Sequence, residues 1–195
     1  MSTQSNQNNQ IVPLKKRRRR GYLRSEQIFE ICIFAMLGTL MFVSKIIMEA
    51  LPNLHLLGTL TMVCTVVFRV KGLIPIYVYV FLNGIYAGFA TWWVPYLYVW
   101  AILWAMTMLI PKRIPKKVAA FVYPAVCALH GFAFGIFYAP GQALLYGLSF
   151  EQMLIWIAQG VVADVTHGIG NLFIGTLVLP LSELLKKLIK SRKFR

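Results

Sequence analysis

Between residues 28 and 185 the chain alternates apolar runs with short connections, and the connections alternate in charge. The runs span 28–50, 56–68, 73–88, 94–110, 118 to about 138 and about 152–185, six in all. Several are nearer 15 than 20 residues, short for a hydrocarbon layer about 30 Å thick. The connections supply the missing constraint. Nineteen of the 20 Lys and Arg residues fall in four clusters, at 15–24, at 69 and 71, at 112–117 and at 186–195. The intervening connections, LPNLH, FATWW and APGQALLYGLSFE, carry none. If each run crosses once, all four clusters lie on one side, and the positive-inside rule places both termini in the cytoplasm.

Composition excludes an ordinary soluble domain. The chain is 58% hydrophobic and 13% charged, against about 45–50% and about 25% for soluble globular proteins. The expected fold is therefore an all-α integral membrane protein of six transmembrane helices with both ends inside. Residues 1–26 form a disordered polar tip and a basic juxtamembrane segment, 27–186 the membrane domain, and 187–195 a basic cytoplasmic tail. No small-residue cleavage pattern follows the basic head, so the first run reads as a retained helix rather than a signal peptide. The Arg run orients the protein; nucleic-acid binding would call for a folded basic surface. Cys32, Cys64 and Cys127 stand alone in apolar runs, a pattern of buried small hydrophobes with neither a disulfide framework nor a metal site.

Polar residues inside apolar runs mark the places where chemistry can occur. Asp164, His167 and Asn171 of ADVTHGIGN fall at relative angles of about 0°, −60° and −20° on a helix, one shared face. Gly160, Gly168 and Gly175 lie close to it, so that side is narrow and polar and packs against protein or lines a cavity. A carboxylate such as Asp164 is too costly to leave bare in hydrocarbon. Either helix-to-helix bonding or ligand binding satisfies such a trio, and three convergent polar groups favour a site.

In WWVPYLYVWAILW, residues Trp93, Tyr96, Trp100 and Trp104 cover an arc of only about 80°, an aromatic wall. An interfacial belt accounts for its outer members, whereas Trp93, Tyr96 and Trp100 are suited to stacking on a planar ligand. His130 shares a face with Phe134 and Phe137, and Gly131 to Gly135 form a GxxxG step for close helix approach. Gln142, after the Tyr138–Gly141 turn sequence, belongs to the outer rim. Lys45 and Glu49 are four apart at the outer end of the first run, an ion pair placed either to snorkel or to face a ligand, and His55 follows in the loop.

Catalytic signatures are missing: the chain has no HExxH, no GxSxG and no second intramembrane Asp. An enzyme is therefore not expected. A self-sufficient secondary transporter or channel for a small organic solute stays open as the alternative, although it would normally show inverted repeats and 28–110 bears no convincing similarity to 118–185; a membrane-embedded enzyme using Asp164 and His167 is the third class.

From Gln27 to the basic tail, the six short spans, LPNLHLLG after the first, WWVPYLYVW and ADVTHGIGN resemble the S components of energy-coupling factor transporters. These are small substrate-capturing proteins of the prokaryotic cell membrane. The resemblance implies a vitamin or related micronutrient bound from outside, in a cavity of the fourth to sixth spans closed by external loops. It also implies docking onto one transmembrane coupling subunit and two ATPase subunits. In that family an AxxxA motif of the first span mediates docking; Ala35, Gly38 and Thr39 occupy the matching stretch, with Thr39 in place of the second Ala. No GxxxxGK[ST] loop occurs, as expected if the partners hydrolyse ATP and the chain itself carries no cofactor.

Overall fold

The computed structural model describes residues 14–50 and 54–192, with side chains from residue 25 to residue 191. The polar tip, Leu51 to Asn53 and the last three residues lie outside the described residues. Among the described residues there are eight α-helices, several joined by short 3-10 turns, and no strand. They are α1 (Leu14–Ile47), α2 (Leu57–Phe68), α3 (Leu73–Ala87), α4 (Tyr96–Leu109), α5 (Lys116–Phe132), α6 (Phe134–Tyr146), α7 (Phe150–Ile174) and α8 (Val178–Arg192).

By length and apolar composition, four helical stretches among the described residues suffice to cross a membrane: Ser25–Ala50, Leu57–Ala87, Thr91–Leu109 and Lys116–Tyr146. The exterior agrees, because Met36, Leu109, Phe121, Leu144 and Val162 are each more than 70% exposed. A surface built of large apolar side chains is stable only in lipid. The sixth expected span, about 152–185, is not among the four. Gln152, Gln159, Asp164, His167 and Asn171 dilute its apolar character.

The Leu57–Ala87 stretch is not one straight rod. Arg69 ends α2 with φ 55°, a conformation costly for a residue with a Cβ. Tertiary bonds hold it there: its guanidinium donates to the carbonyls of Met108 at 2.9 Å and Ile110 at 3.3 Å, and Trp104 Nε1 donates to its carbonyl at 3.0 Å. At Gly72 the backbone comes so close to α2 that an added Cβ would lie 2.8 Å from the Cys64 carbonyl oxygen. Contact between residues eight apart is impossible along a straight helix, so α3 folds back beside α2.

Helix pairing follows from small residues at the contacts. Gly38 lets α1 lie against α3, where an added Cβ would sit 2.9 Å from the Pro75 carbonyl oxygen. The two run parallel, with Glu30 bonded to Lys71 at 2.7 Å at one end and Phe42 edge-on to Tyr86 at 5.6 Å at the other. The GxxxG step works as expected. An added Cβ at Gly131 would lie 2.9 Å from the Gly168 backbone, and Gly135 abuts Asp164, which joins α5 and α6 to α7.

Two boundaries differ from expectation. The fifth run does not stop near Tyr138: after a single non-helical residue, Ala133, the helix resumes as α6 and passes through Pro140 to Tyr146. Proline is tolerated because neighbouring helices can satisfy the freed backbone groups. The basic segment from Leu14 is helical and continuous with α1, in keeping with the high helix propensity of Lys and Arg. Two apolar clusters form the core. One gathers Met41, Leu57, Ile76, Tyr79 and Trp100; the other, nearer the basic end, gathers Met62, Leu103, Tyr123, Cys127 and Val178.

Candidate functional site

Trp100 of α4 is the centre of an aromatic cluster drawn from five helices. Its ring centroid lies 6.0 Å from Tyr79 of α3, 6.0 Å from Tyr96, 5.9 Å from His130 of α5 and 6.0 Å from Phe134 of α6. The cluster continues from Phe134 to His167 of α7 at 5.1 Å, and from His167 to His55 at 5.7 Å. On the α6 side Phe134 stacks on Tyr138 at 5.8 Å, and Tyr138 on Trp156 at 5.8 Å. His130 is fastened by a hydrogen bond of 3.1 Å between Nε2 and the Val99 carbonyl. Nε2 is therefore the protonated nitrogen in the neutral ring.

Several polar atoms in this region are buried and have no partner in the protein: Tyr79 Oη, Asn83 Oδ1, Trp100 Nε1, His55 Nδ1 and His167 Nδ1. Tyr79 is 0% exposed and Asn83, one helical turn further along α3, 1%. Each such group costs about 1–3 kcal/mol relative to a bonded one, and natural proteins keep few of them. Orphans from α3, α4, α7 and the loop before α2, set among aromatic rings, are what a site for a hydrogen-bonding planar molecule requires. The cluster offers both donors and acceptors, since the indole N–H only donates, the Asn oxygen only accepts and the phenol does either.

The expected site residues divide in two. Tyr96, Trp100, His130 and His167 come together in the cluster. Trp93, Gln142, Asp164 and Asn171 instead direct polar atoms at the backbone of neighbouring helices. Trp93 Nε1 donates to the Val80 carbonyl at 2.8 Å, Gln142 Nε2 to that of Thr91 at 3.2 Å and Asn171 Nδ2 to that of Cys127 at 3.3 Å. Asp164 accepts from the Gly135 N–H at 3.0 and 3.1 Å. Gly135 lies in the first turn of α6, where Ala133 provides no side-chain cap, so Asp164 satisfies from another helix a donor that the restart of the helix leaves open.

Lys45 and Glu49 form an ion pair of 3.4 Å at the end of α1, with the Glu49 side chain 56% exposed. His55 lies within their electrostatic reach; burial first, then the Lys45 charge, lowers its pKa below the usual imidazole value. Of the expected docking residues, Ala35 and Thr39 are exposed on one face of α1, whereas Gly38 is buried against Val78 and is taken up within the bundle.

Sequence reasoning assigned nothing to the third run, yet Tyr79 and Asn83 contribute two of the orphaned atoms. Their only signal was their spacing, a phenol and an amide four apart on one face of a helix that also carries Tyr77 and Tyr86. His55, read from sequence as a loop residue, is drawn in by its ring contact with His167. Among the described residues no three His, Cys, Asp or Glu side chains gather to hold a metal ion.

The fold defines a helical membrane protein with a buried aromatic and polar cluster. Comparison with family models, with curated proteins and with solved structures gave no match.

Proposed function

We propose that the chain is the substrate-capturing membrane subunit of an energy-coupling factor type importer, binding a vitamin-like planar molecule from outside the prokaryotic cell. The observation that carries this reading is the set of unpartnered buried polar atoms on Tyr79, Trp100 and His167, whose rings belong to one aromatic cluster. They are costly in isolation and favourable once a ligand bonds to them. In this reading the chain crosses the membrane six times, as α1, α2, α3, α4, α5 with α6, and α7 with α8. The turn at Arg69–Gly72 and the confinement of cations to alternate connections support that topology, with both termini cytoplasmic. A transmembrane coupling subunit docks on the face of Ala35 and Thr39, and two ATPase subunits supply the energy.

The test is mass spectrometry of small molecules released from the purified protein, followed by titration of the molecule found. A planar compound with several polar groups, bound in a way that Trp100→Ala weakens, is the expected result. Uptake by the chain alone, driven by an ion gradient without ATPase partners, refutes the reading.

A further inference from the structure

At the opposite, basic end of the bundle a separate cavity of about 170 Å³ opens between the α4–α5 connection, the start of α5 and α8. Lys112, Lys116, Lys186, Ser182 and Glu183 are among the residues that line it, three lysines against one carboxylate residue. That carboxylate is already engaged, since Glu183 bonds Lys116 at 2.8 Å. Among the described residues Lys112 and Lys186 have no ion-pair partner.

Solvated lysines are ordinary on the cytoplasmic face of a membrane protein. Ser182 is not. It is 1% exposed, lines the cavity and its Oγ has no hydrogen-bond partner. A buried helical serine ordinarily bonds back to the carbonyl four residues earlier, here Val178. Leaving that bond unmade is costly unless something in the cavity accepts from the hydroxyl. The start of α5 adds a further contribution: Pro115 at its N-cap has no side-chain oxygen, so the first backbone N–H groups and the positive end of the helix dipole lie at the cavity wall uncapped.

From these groups we infer that the cavity binds a single phosphate group, held by Lys112 and Lys186 with Ser182 donating to one of its oxygens. The space is below the roughly 300–1,000 Å³ of pockets that enclose whole drug-sized ligands, which suits one tetrahedral anion or the phosphodiester of a lipid headgroup. Basic recesses between helices at the cytoplasmic surface are suited to anionic lipid headgroups. This site is independent of the aromatic cluster and of the importer reading.

The full-length protein, reconstituted in nanodiscs of phosphatidylcholine with or without phosphatidylglycerol, distinguishes the sources. Native mass spectrometry reads retained lipid, and thermal melting in phosphate against chloride of equal ionic strength reads the free anion. Retention of phosphatidylglycerol assigns the site to a lipid, and stabilisation by inorganic phosphate alone assigns it to the free anion. Ser182→Ala or Lys186→Gln should weaken whichever binds by roughly tenfold or more, the loss of one charge-assisted hydrogen bond. Lys190→Gln, outside the cavity lining, should not. Ser182→Ala removes an unpaired hydroxyl and should fold at least as well as wild type; Lys112→Gln, in an exposed connection, gives a second variant that keeps the core intact. If neither probe binds more than its control, or if binding is indifferent to Ser182, Lys112 and Lys186, the inference is overturned.

Discussion

Replacing Tyr79 with Phe should move stability and ligand affinity in opposite directions. The substitution removes one oxygen and leaves the ring, which packs edge-on to Trp100 at 6.0 Å and 82°. That oxygen is part of a side chain 0% exposed and has no partner in the protein. Burying an unbonded hydroxyl costs about 1–3 kcal/mol, so the ligand-free protein should be more stable by up to that amount after the change. If a ligand bonds to the hydroxyl, the same change leaves one of its polar groups unpaired at a similar cost, equivalent to roughly 5- to 150-fold in affinity. Unfolding of the purified ligand-free protein in increasing SDS measures the first effect, and calorimetric titration of the small molecule released from the wild type measures the second. A loss of stability would mean that the hydroxyl already has a bonding role in the empty protein. Unchanged affinity would place the ligand elsewhere. Either result refutes the reasoning.

Asp164→Ala, which strips the Gly135 N–H of its acceptor, should destabilise the ligand-free protein by about 1–3 kcal/mol, while Asp164→Asn, with one oxygen retained, should cost less; equal stability of the two variants in SDS unfolding refutes the capping role. Gly38→Leu should destabilise by about 1–3 kcal/mol through overpacking against Val78, whereas Ala35→Trp and Thr39→Trp should abolish uptake in cells with ligand binding intact. Survival of uptake in both Trp variants moves the docking face elsewhere. Cysteines introduced at Ser5 and Ser191 should resist impermeant reagents in intact cells, and labelling of either from outside overturns the topology. The lowered pKa of His55 makes the folded protein bind fewer protons than the unfolded chain just below the usual imidazole pKa, so stability should fall as pH drops through that region. His55→Gln should flatten the decline in melting temperature, and an unchanged profile would show that His55 does not drive it.

The sequence by itself determined the solvent of this protein and the periodicity of its elements. Long apolar runs leave helices as the way to satisfy the backbone in lipid, and the cations cluster at alternate connections whatever the helices later do. The starts of α2, α3, α4, α5 and α7 lie within about two residues of the starts of apolar runs, whereas the early start of α1 and the restarts at α6 and α8 were not legible. The shared face of Asp164, His167 and Asn171 was legible too, because helical angle follows from sequence spacing alone.

What each polar group bonds to was decided by tertiary structure. Spacing within α7 cannot reveal that Asp164 meets a broken helix at Gly135 while His167 turns toward Phe134 and His55, because those partners are 29 or more residues away along the chain. For the same reason the spacing of Tyr79 and Asn83 marks a shared face but not what that face meets. An apolar helix with three phenols and one amide gives no sign of which of those groups find partners. Only the folding of α3 back against α2 and α4, fixed by Arg69 and Gly72, leaves both buried with their hydrogen bonds unmade and sets Tyr79 beside Trp100. Sequence periodicity sets the face a residue occupies, and helix packing sets what that face meets.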